Sequence, residues 1–302
     1  MYDIIGDVHG EADKLKQLLT EIGYEKKDGS FSHPERKAIF VGDFINRGSK
    51  IRETIQIIRA MVENRNAFAV LGNHELNAIF YHLKDDLGKY YKRRGKYRLS
   101  LDQTLTEFAN YKDEYKDHLK WMRTLPLFLD LGDIRVVHAC WKNENIELIK
   151  THFNEDRIKK SKLREIFETN VIVADSIWET CKGVDFKLPK DLLVFDSSGQ
   201  PHRSFRSKWW VNPEGKTFKQ ISLESRFKLP KYTVPKEIIQ FAEPYPDNAP
   251  IVFFGHYCLN SKTGIFADNI CCVDSCVSRT RKLMVYRWSG EKKLDKNNIF
   301  KI

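Results

Sequence analysis

The sequence predicts an α/β fold with mostly parallel strands, and two observations predict it. Three apolar runs, Tyr2-Asp3-Ile4-Ile5, Ala38-Ile39-Phe40-Val41 and Phe68-Ala69-Val70-Leu71, each end in a glycine-containing segment. Stretches with helical spacing separate these runs, and strands that alternate with helical patterns imply crossover connections and parallel pairing. Two later apolar runs, Ile134-Arg135-Val136-Val137 and Ile251-Val252-Phe253-Phe254-Gly255, lead into His138 and His256.

Residues 1–80 read as strand, helix, strand, helix, strand. Between Glu11 and Ile22 the apolar positions Leu15, Leu18, Leu19 and Ile22 fall on one helical face. Lys26-Lys27-Asp28-Gly29-Ser30 is a turn signal before the second strand. Ile51 to Val62 is a second helix, with Ile55, Ile58 and Val62 on one face. From about 81 to 125 the chain becomes polar, with Tyr81, Tyr90, Tyr91, Lys92, Arg93 and Arg94. Helical spacing over Leu101–Tyr111 and His118–Arg123 predicts a helical cap over the rim where the strands end. Trp121, Leu125, Pro126 and Leu127 then lead into the strand pair before His138.

Residues 142–245 are lysine-rich and punctuated by Pro189, Gly199, Pro201, Pro213 and Gly215, and read as a basic insert in a single domain spanning 1–302. Within it lies His202-Arg203-Ser204-Phe205-Arg206-Ser207-Lys208-Trp209-Trp210. Arginines beside a tryptophan pair would hold phosphates and stack a base; the same pattern also suits an ordinary hairpin with exposed charge. The formal net charge of +10 suits polyanionic substrates or nucleic acid, and equally a solvated lysine surface.

The six cysteines show no paired framework, so a reduced, cytoplasmic protein is expected. A first strand beginning at Tyr2 leaves no room for a signal peptide and points the same way. No run approaches the 18 apolar residues of a membrane span, so no membrane partner is expected.

The segments that end the first three runs are Gly6-Asp7-Val8-His9-Gly10, Gly42-Asp43-Phe44-Ile45-Asn46-Arg47-Gly48 and Gly72-Asn73-His74-Glu75. Ligands of open α/β sheets bind outside the carboxyl ends of the strands. Asp7, His9, Asp43, Asn73, His138 and His256 are metal-ligand types, with His74 and Arg47 close by. They suffice for two divalent ions that share one bridging carboxylate.

At these residues the chain resembles the calcineurin-like metallophosphoesterases, and within them the phosphoprotein-phosphatase branch, whose order is GDxHG, GDxxDRG, GNHE and two later histidines. The resemblance runs from residue 3 to about 288, with weak matching over 142–245. Cys271-Cys272-Val273-Asp274-Ser275-Cys276 followed by Lys282-Leu283-Met284-Val285-Tyr286-Arg287-Trp288 is similar to the end of bacterial diadenosine-tetraphosphatase-like proteins. Those proteins have a Gly-Lys-Leu strand where this chain has Arg281-Lys282-Leu283.

The resemblance implies a four-layer α/β/β/α sandwich and a phosphohydrolase with two divalent ions, manganese first and iron, zinc or nickel as alternatives. Asp7 and His9 would hold the first ion and Asp43 would bridge. Asn73, His138 and His256 would complete the second. Two such ions activate a bridging water for in-line attack on phosphorus. Arg47 would grip phosphate oxygens, because a guanidinium fork matches that geometry. His74 would protonate the leaving oxygen, and Arg203 or Arg206 would be the second phosphate arginine. Asp274 would give outer support, and Glu75 would brace the Asn73 loop.

Two departures stand out. Asn46 replaces the family's Asp, which would pair with the acid histidine. An amide brings no charge, so the His74 pKa should be lower than in the family pattern and good leaving groups favoured. His138-Ala139-Cys140-Trp141 has cysteine where relatives have glycine, which would narrow the pocket floor. The implied substrate is a phosphorylated small molecule, first a nucleoside polyphosphate such as diadenosine tetraphosphate. Alternatives are a phosphoserine or phosphothreonine protein, an RNA end, and a non-catalytic binding protein that kept the fold.

Overall fold

The computed structural model describes all 302 residues except 86, 91–95, 154–159, 191, 197, 224–226, 240–242 and 260–263. Tyr91, Lys92, Arg93 and Arg94, read above as part of a cap, lie outside the described residues. The chain forms two compact units, residues 1–182 with 250–302, and residues 183–249.

In the first unit, β1 (Tyr2–Ile5), β2 (Lys37–Phe40) and β3 (Ala67–Ala69) are parallel neighbours, joined by α1 (Ala12–Glu21) and α2 (Ile51–Glu63). Ile4 pairs with Ile39, and Ile39 with Phe68. A second sheet holds β4 (Phe128–Asp130), β5 (Ile134–Val137), β6 (Ile251–Phe254), β7 (Ile265–Ala267) and β8 (Ile270–Cys272), in the order β7-β8-β6-β5-β4. Its middle strands β5, β6 and β8 run parallel, and β4 and β7 are antiparallel edges. The chain then returns to the first sheet with β9 (Met284–Trp288), antiparallel to β1, and β10 (Ile299–Lys301).

The strands are continuous apolar runs because both faces are covered, as parallel sheets require. Ile4, Ile39, Val41 and Val70 of the first sheet meet Ile134, Val136, Ile251 and Phe253 of the second in one buried cluster. This contact makes the two inner layers of the sandwich. Alternate residues such as Ile5 and Phe40 are equally buried and point to the opposite face. Leu15, Leu18 and Leu19 of α1, and Ile55 and Ile58 of α2, are buried as their helical spacing predicts.

The remaining helices of this unit are α3 (Asn73–Tyr81), α4 (Lys96–Glu107), α5 (Lys112–Met122), α6 (Asn143–Phe153), α7 (Lys160–Thr169) and α8 (Val171–Lys182). The stretch read as a cap holds α4 and α5, which pack on α2 and α3. Glu107 accepts hydrogen bonds from Ile51 N and Arg52 N, both at 2.8 Å, so it caps α2. Arg52 and Arg59 of α2 pair with Glu114 and Asp117 of α5.

The stretch read as an insert over 142–245 divides between the units. Helices α6 to α8 belong to the first, and only 183–249 forms the second. The second unit is a small β structure in which Asp185–Lys187 pairs with Ser204–Arg206 and Val194–Phe195 with Pro201–His202. Its core holds Phe186, Val194, Phe205, Phe218 and Ile221. Trp209 and Trp210 are buried, edge-to-face with one another, and Trp209 also meets Tyr245. The pair is therefore core rather than an open platform for a base, since both rings are buried.

The cysteine expectation is corrected as well. Cys258 and Cys276, 18 residues apart, form a disulfide with Cα atoms 4.3 Å apart. The loops after β6 and β8 bring them together: Asp274 accepts hydrogen bonds from Cys258 N at 2.6 Å and Cys276 N at 2.7 Å. Cys140, Cys181, Cys271 and Cys272 are buried free thiols.

Candidate metal centre

The carboxyl ends of β1, β2, β5 and β6, and the N-terminus of α3, converge. His9 Nε2 lies 3.9 Å from Asp7 Oδ2 and 3.6 Å from Asp43 Oδ2. His138 Nε2 lies 3.4 Å from Asp43 Oδ1 and 3.1 Å from Asn73 Oδ1. His256 Nδ1 lies 2.8 Å from Asn73 Oδ1. Two donor groups thus share one carboxylate: His9, Asp43 and His74 on one side, and Asp43, His138 and His256 on the other. All six residues read from the sequence as ligands are brought together.

Close backbone approach makes this possible. A Cβ on Gly255 would stand 2.1 Å from Asp7 Oδ1, and one on Gly72 would stand 2.3 Å from Asp43 N. His9, Asp43, Asn46, Arg47 and His256 all have positive φ, between 45° and 71°. Such conformations persist only when the surroundings hold them. Glu75 is the main holder. Its Oε1 accepts from Phe44 N at 2.8 Å and Ile45 N at 3.2 Å, and its Oε2 from Asp43 N at 2.8 Å and Gly72 N at 3.1 Å. It braces the Asp43 loop as well as its own, which is more than its sequence position suggested.

The donor set fits divalent cations. His9 Nδ1 donates to Ile45 O at 3.0 Å and His138 Nδ1 to Val41 O at 2.7 Å. These bonds leave the Nε2 lone pair of each ring for an ion, the usual outer support of a metal-bound histidine. Burial keeps His9 neutral by moving its pKa down to about 3. The electrostatics also call for positive charge. Burial, then Asp274 and Asp43, push the Asp7 carboxyl well above its usual range. Burial opposes charge on Asp43 too, but His138, His74 and His9 outweigh it and hold Asp43 well below the carboxylate range. His138 is resisted by burial, yet Asp43 and Asp7 draw it up to about 10. Three buried carboxylates, Asp7, Asp43 and Asp274, therefore sit in a field that cations would neutralise.

The acid candidate stands at the edge of this cluster. His74 Nε2 is 3.8 Å from Asp43 Oδ2 and 3.4 Å from Arg47 Nη2. Its Nδ1 is 2.6 Å from Asn46 Nδ2, and Asn46 Oδ1 accepts from Thr104 Oγ1 at 2.5 Å. Burial is the largest cause of a lowered His74 pKa; Asp43 opposes it and Arg47 adds to it. Asn46 is not among the causes of this shift, which burial leads. Arg47 is exposed beside His74.

Arg203 and Arg206 lie in the second unit. Arg203 Nη1 donates to Lys190 O at 2.6 Å, and Arg206 lies on the strand Ser204–Arg206. Thr104 and Glu107 were missed by sequence reading. Thr104 lies 58 residues from Asn46, and nothing at that separation marks the pair.

The calcineurin-like phosphoesterase family model matches residues 2–260. The chain belongs to that family. This phosphoesterase is 27% identical over 216 residues to a bis(5'-nucleosyl)-tetraphosphatase PrpE (asymmetrical) of Halalkalibacterium halodurans, covering 70% of this chain and 76% of that one. It is 33% identical over 153 residues to the PrpE of Bacillus subtilis, covering 48% and 59%. A cold-active protein tyrosine phosphatase structure aligns with a TM-score of 0.50 and 17% identity, over 95% of this chain and 73% of that one, and shares the fold. Membership of the family makes the chain a phosphoester or phosphoanhydride hydrolase, and the groups that could hold a metal ion lie at the carboxyl rim. Among the described residues no helix is long and apolar enough to cross a membrane.

Proposed function

We propose that this phosphoesterase hydrolyses nucleoside polyphosphates such as diadenosine tetraphosphate, with two divalent cations, manganese first. The observation that carries the substrate reading is the Asn46 amide 2.6 Å from His74 Nδ1. A carboxylate there would support an imidazolium that gives up a proton; an amide does not. Leaving groups that are stable anions, such as a nucleotide phosphate, depart without that proton. The named activity of the PrpE relatives agrees.

Asp7, His9 and Asp43 would hold one ion, and Asp43, Asn73, His138 and His256 the other. When bound, such ions activate water and neutralise the phosphoryl charge. Glu75 fixes the loop that presents Asp43. Arg47, exposed at the rim, takes the phosphate oxygens by its fork. His74 orients the leaving oxygen through Nε2. The basic composition suits a polyanionic substrate.

Phosphoprotein dephosphorylation is the second reading, favoured by the three motif blocks; RNA-end dephosphorylation and a non-catalytic binding role stand behind it. The test is hydrolysis of diadenosine tetraphosphate, para-nitrophenyl phosphate and a phosphoserine peptide with manganese, beside Asp43→Asn. Selective turnover of the dinucleotide, lost in Asp43→Asn, supports the proposal. Preferential turnover of the peptide moves the protein to the second reading. Silence on all three with metal bound refutes the first two.

A further inference from the structure

We propose that Thr104 is a positioning residue for this reaction: its hydroxyl sets the Asn46 amide, and through it the ring of His74, so that turnover favours leaving groups that depart unprotonated. The proposal deepens the phosphoanhydride reading above and rests on it.

Thr104 lies on α4, fully buried, and among the described residues its hydroxyl has one hydrogen-bond partner, Asn46 Oδ1 at 2.5 Å. An amide between two partners has two orientations. In one, Thr104 donates to Asn46 Oδ1 and Asn46 Nδ2 donates to His74 Nδ1. In the other, Asn46 Nδ2 donates to Thr104 and His74 Nδ1–H donates to Asn46 Oδ1. A buried hydroxyl needs an acceptor for its proton more than it needs a donor for its lone pairs. The second orientation strands that proton, because among the described residues the Thr104 hydroxyl makes no other hydrogen bond. The first satisfies the hydroxyl, the amide oxygen and the ring nitrogen together.

The consequence falls on His74. With Nδ1 accepting from the amide, the ring carries its one proton on Nε2, the nitrogen that faces Asp43 Oδ2 at 3.8 Å. Arg47 Nη2, at 3.4 Å from Nε2, can only donate, so a proton on Nε2 requires this long contact from an exposed side chain to give way. A neutral Nε2–H donates a hydrogen bond to the leaving oxygen but does not hand over its proton, since an imidazolate would remain. In hydrolysis the water oxygen forms the new P–O bond and its proton passes to solvent. The leaving oxygen keeps the electron pair of the broken P–O bond. A nucleotide phosphate or an aryl oxide departs so; a serine alkoxide does not.

The same helix secures the loop twice, because Glu107, three residues on from Thr104, caps α2 at Ile51 and Arg52. Residues at that spacing share a helix face. The α4 face thus holds both ends of the segment that carries Asn46 and Arg47.

The test uses Thr104→Val, Thr104→Ser and Asn46→Asp in the full chain. In metal-free protein with 15N-labelled histidine, the His74 ring nitrogens of the wild type should read as bare Nδ1 and protonated Nε2. Thr104→Ser should keep that pattern, Thr104→Val should mix it, and Asn46→Asp should place the proton on Nδ1. With manganese, the ratio of para-nitrophenyl phosphate to phosphoserine-peptide turnover should fall roughly fivefold in Thr104→Val, the value of one neutral hydrogen bond, and stay constant in Thr104→Ser. A wild-type proton on Nδ1, or an unchanged nitrogen pattern and ratio in Thr104→Val, overturns the proposal. Should Thr104→Val not fold, Thr104→Ala removes the same hydroxyl and the same outcomes decide. The nitrogen pattern needs no substrate, so it stands or falls apart from any failure to turn over the dinucleotide.

Discussion

Replacing Glu75 by Gln should loosen the metal centre without touching a ligand. The carboxylate accepts four backbone N–H bonds, two on each oxygen. In Gln one oxygen becomes NH2, a donor facing two donors, whichever way the amide turns. Two buried N–H groups lose their acceptor, either those of Phe44 and Ile45 or those of Asp43 and Gly72. Each costs about 1–3 kcal/mol, so the loop that presents Asp43 loses roughly 2–6 kcal/mol. That loop is held against its own preferences, with Asp43, Asn46 and Arg47 all at positive φ. Part of the loss is offset, because burial and Asp43 raise the Glu75 pKa to about 7 and Gln brings no charge to bury. A net loss of about 3 kcal/mol at the site corresponds to roughly a 100-fold weaker second ion, at 1.4 kcal/mol per factor of ten. Calorimetric manganese titration of wild type and Glu75→Gln measures this directly. Equal affinities in a well-folded variant would show that the loop stands without Glu75 and refute the reasoning.

Four further outcomes are expected. Asp43→Asn removes the carboxylate shared by both donor groups, so manganese stoichiometry in calorimetry should drop below two and phosphatase activity should vanish. Asn46→Asp places a negative charge beside His74 and raises the pKa that burial lowers. The ring then holds its proton to higher pH, so the alkaline limb of the pH–rate profile should move upward; a profile that does not move contradicts the role given to Asn46. Trp209→Ala should cost the second unit about 3–5 kcal/mol as a large-to-small core change, seen as faster proteolysis within 183–249. Thiol titration of the denatured, unreduced protein should count four thiols, rising to six after reduction.

Much of the candidate site was legible along the chain because each ligand ends an apolar run. Glycine, aspartate and histidine placed after a buried strand report the rim, where Asp7, His9, Asp43, Asn73, His138 and His256 lie close together. The two core helices were legible for a similar reason: helical spacing marks their buried faces. Pairings across long separations were not legible. Cys258 meets Cys276 through two loops gathered by Asp274, and neither loop carries a signal for the other. Trp209 and Trp210 read as surface because arginines surround them, yet burial of aromatic area in a small unit decides their place.

By itself the sequence determined which apolar runs end in candidate ligand blocks, the residue types there and the Asn in place of Asp, since these depend on local pattern and residue identity. Only the tertiary structure decided what surrounds them. Glu75 reaches over to the Asp43 loop, and Thr104 of α4 meets Asn46. The reason is that a hydrogen bond between a buried amide and a hydroxyl 58 residues away is a property of two packed helices and a loop, not of any window of the chain.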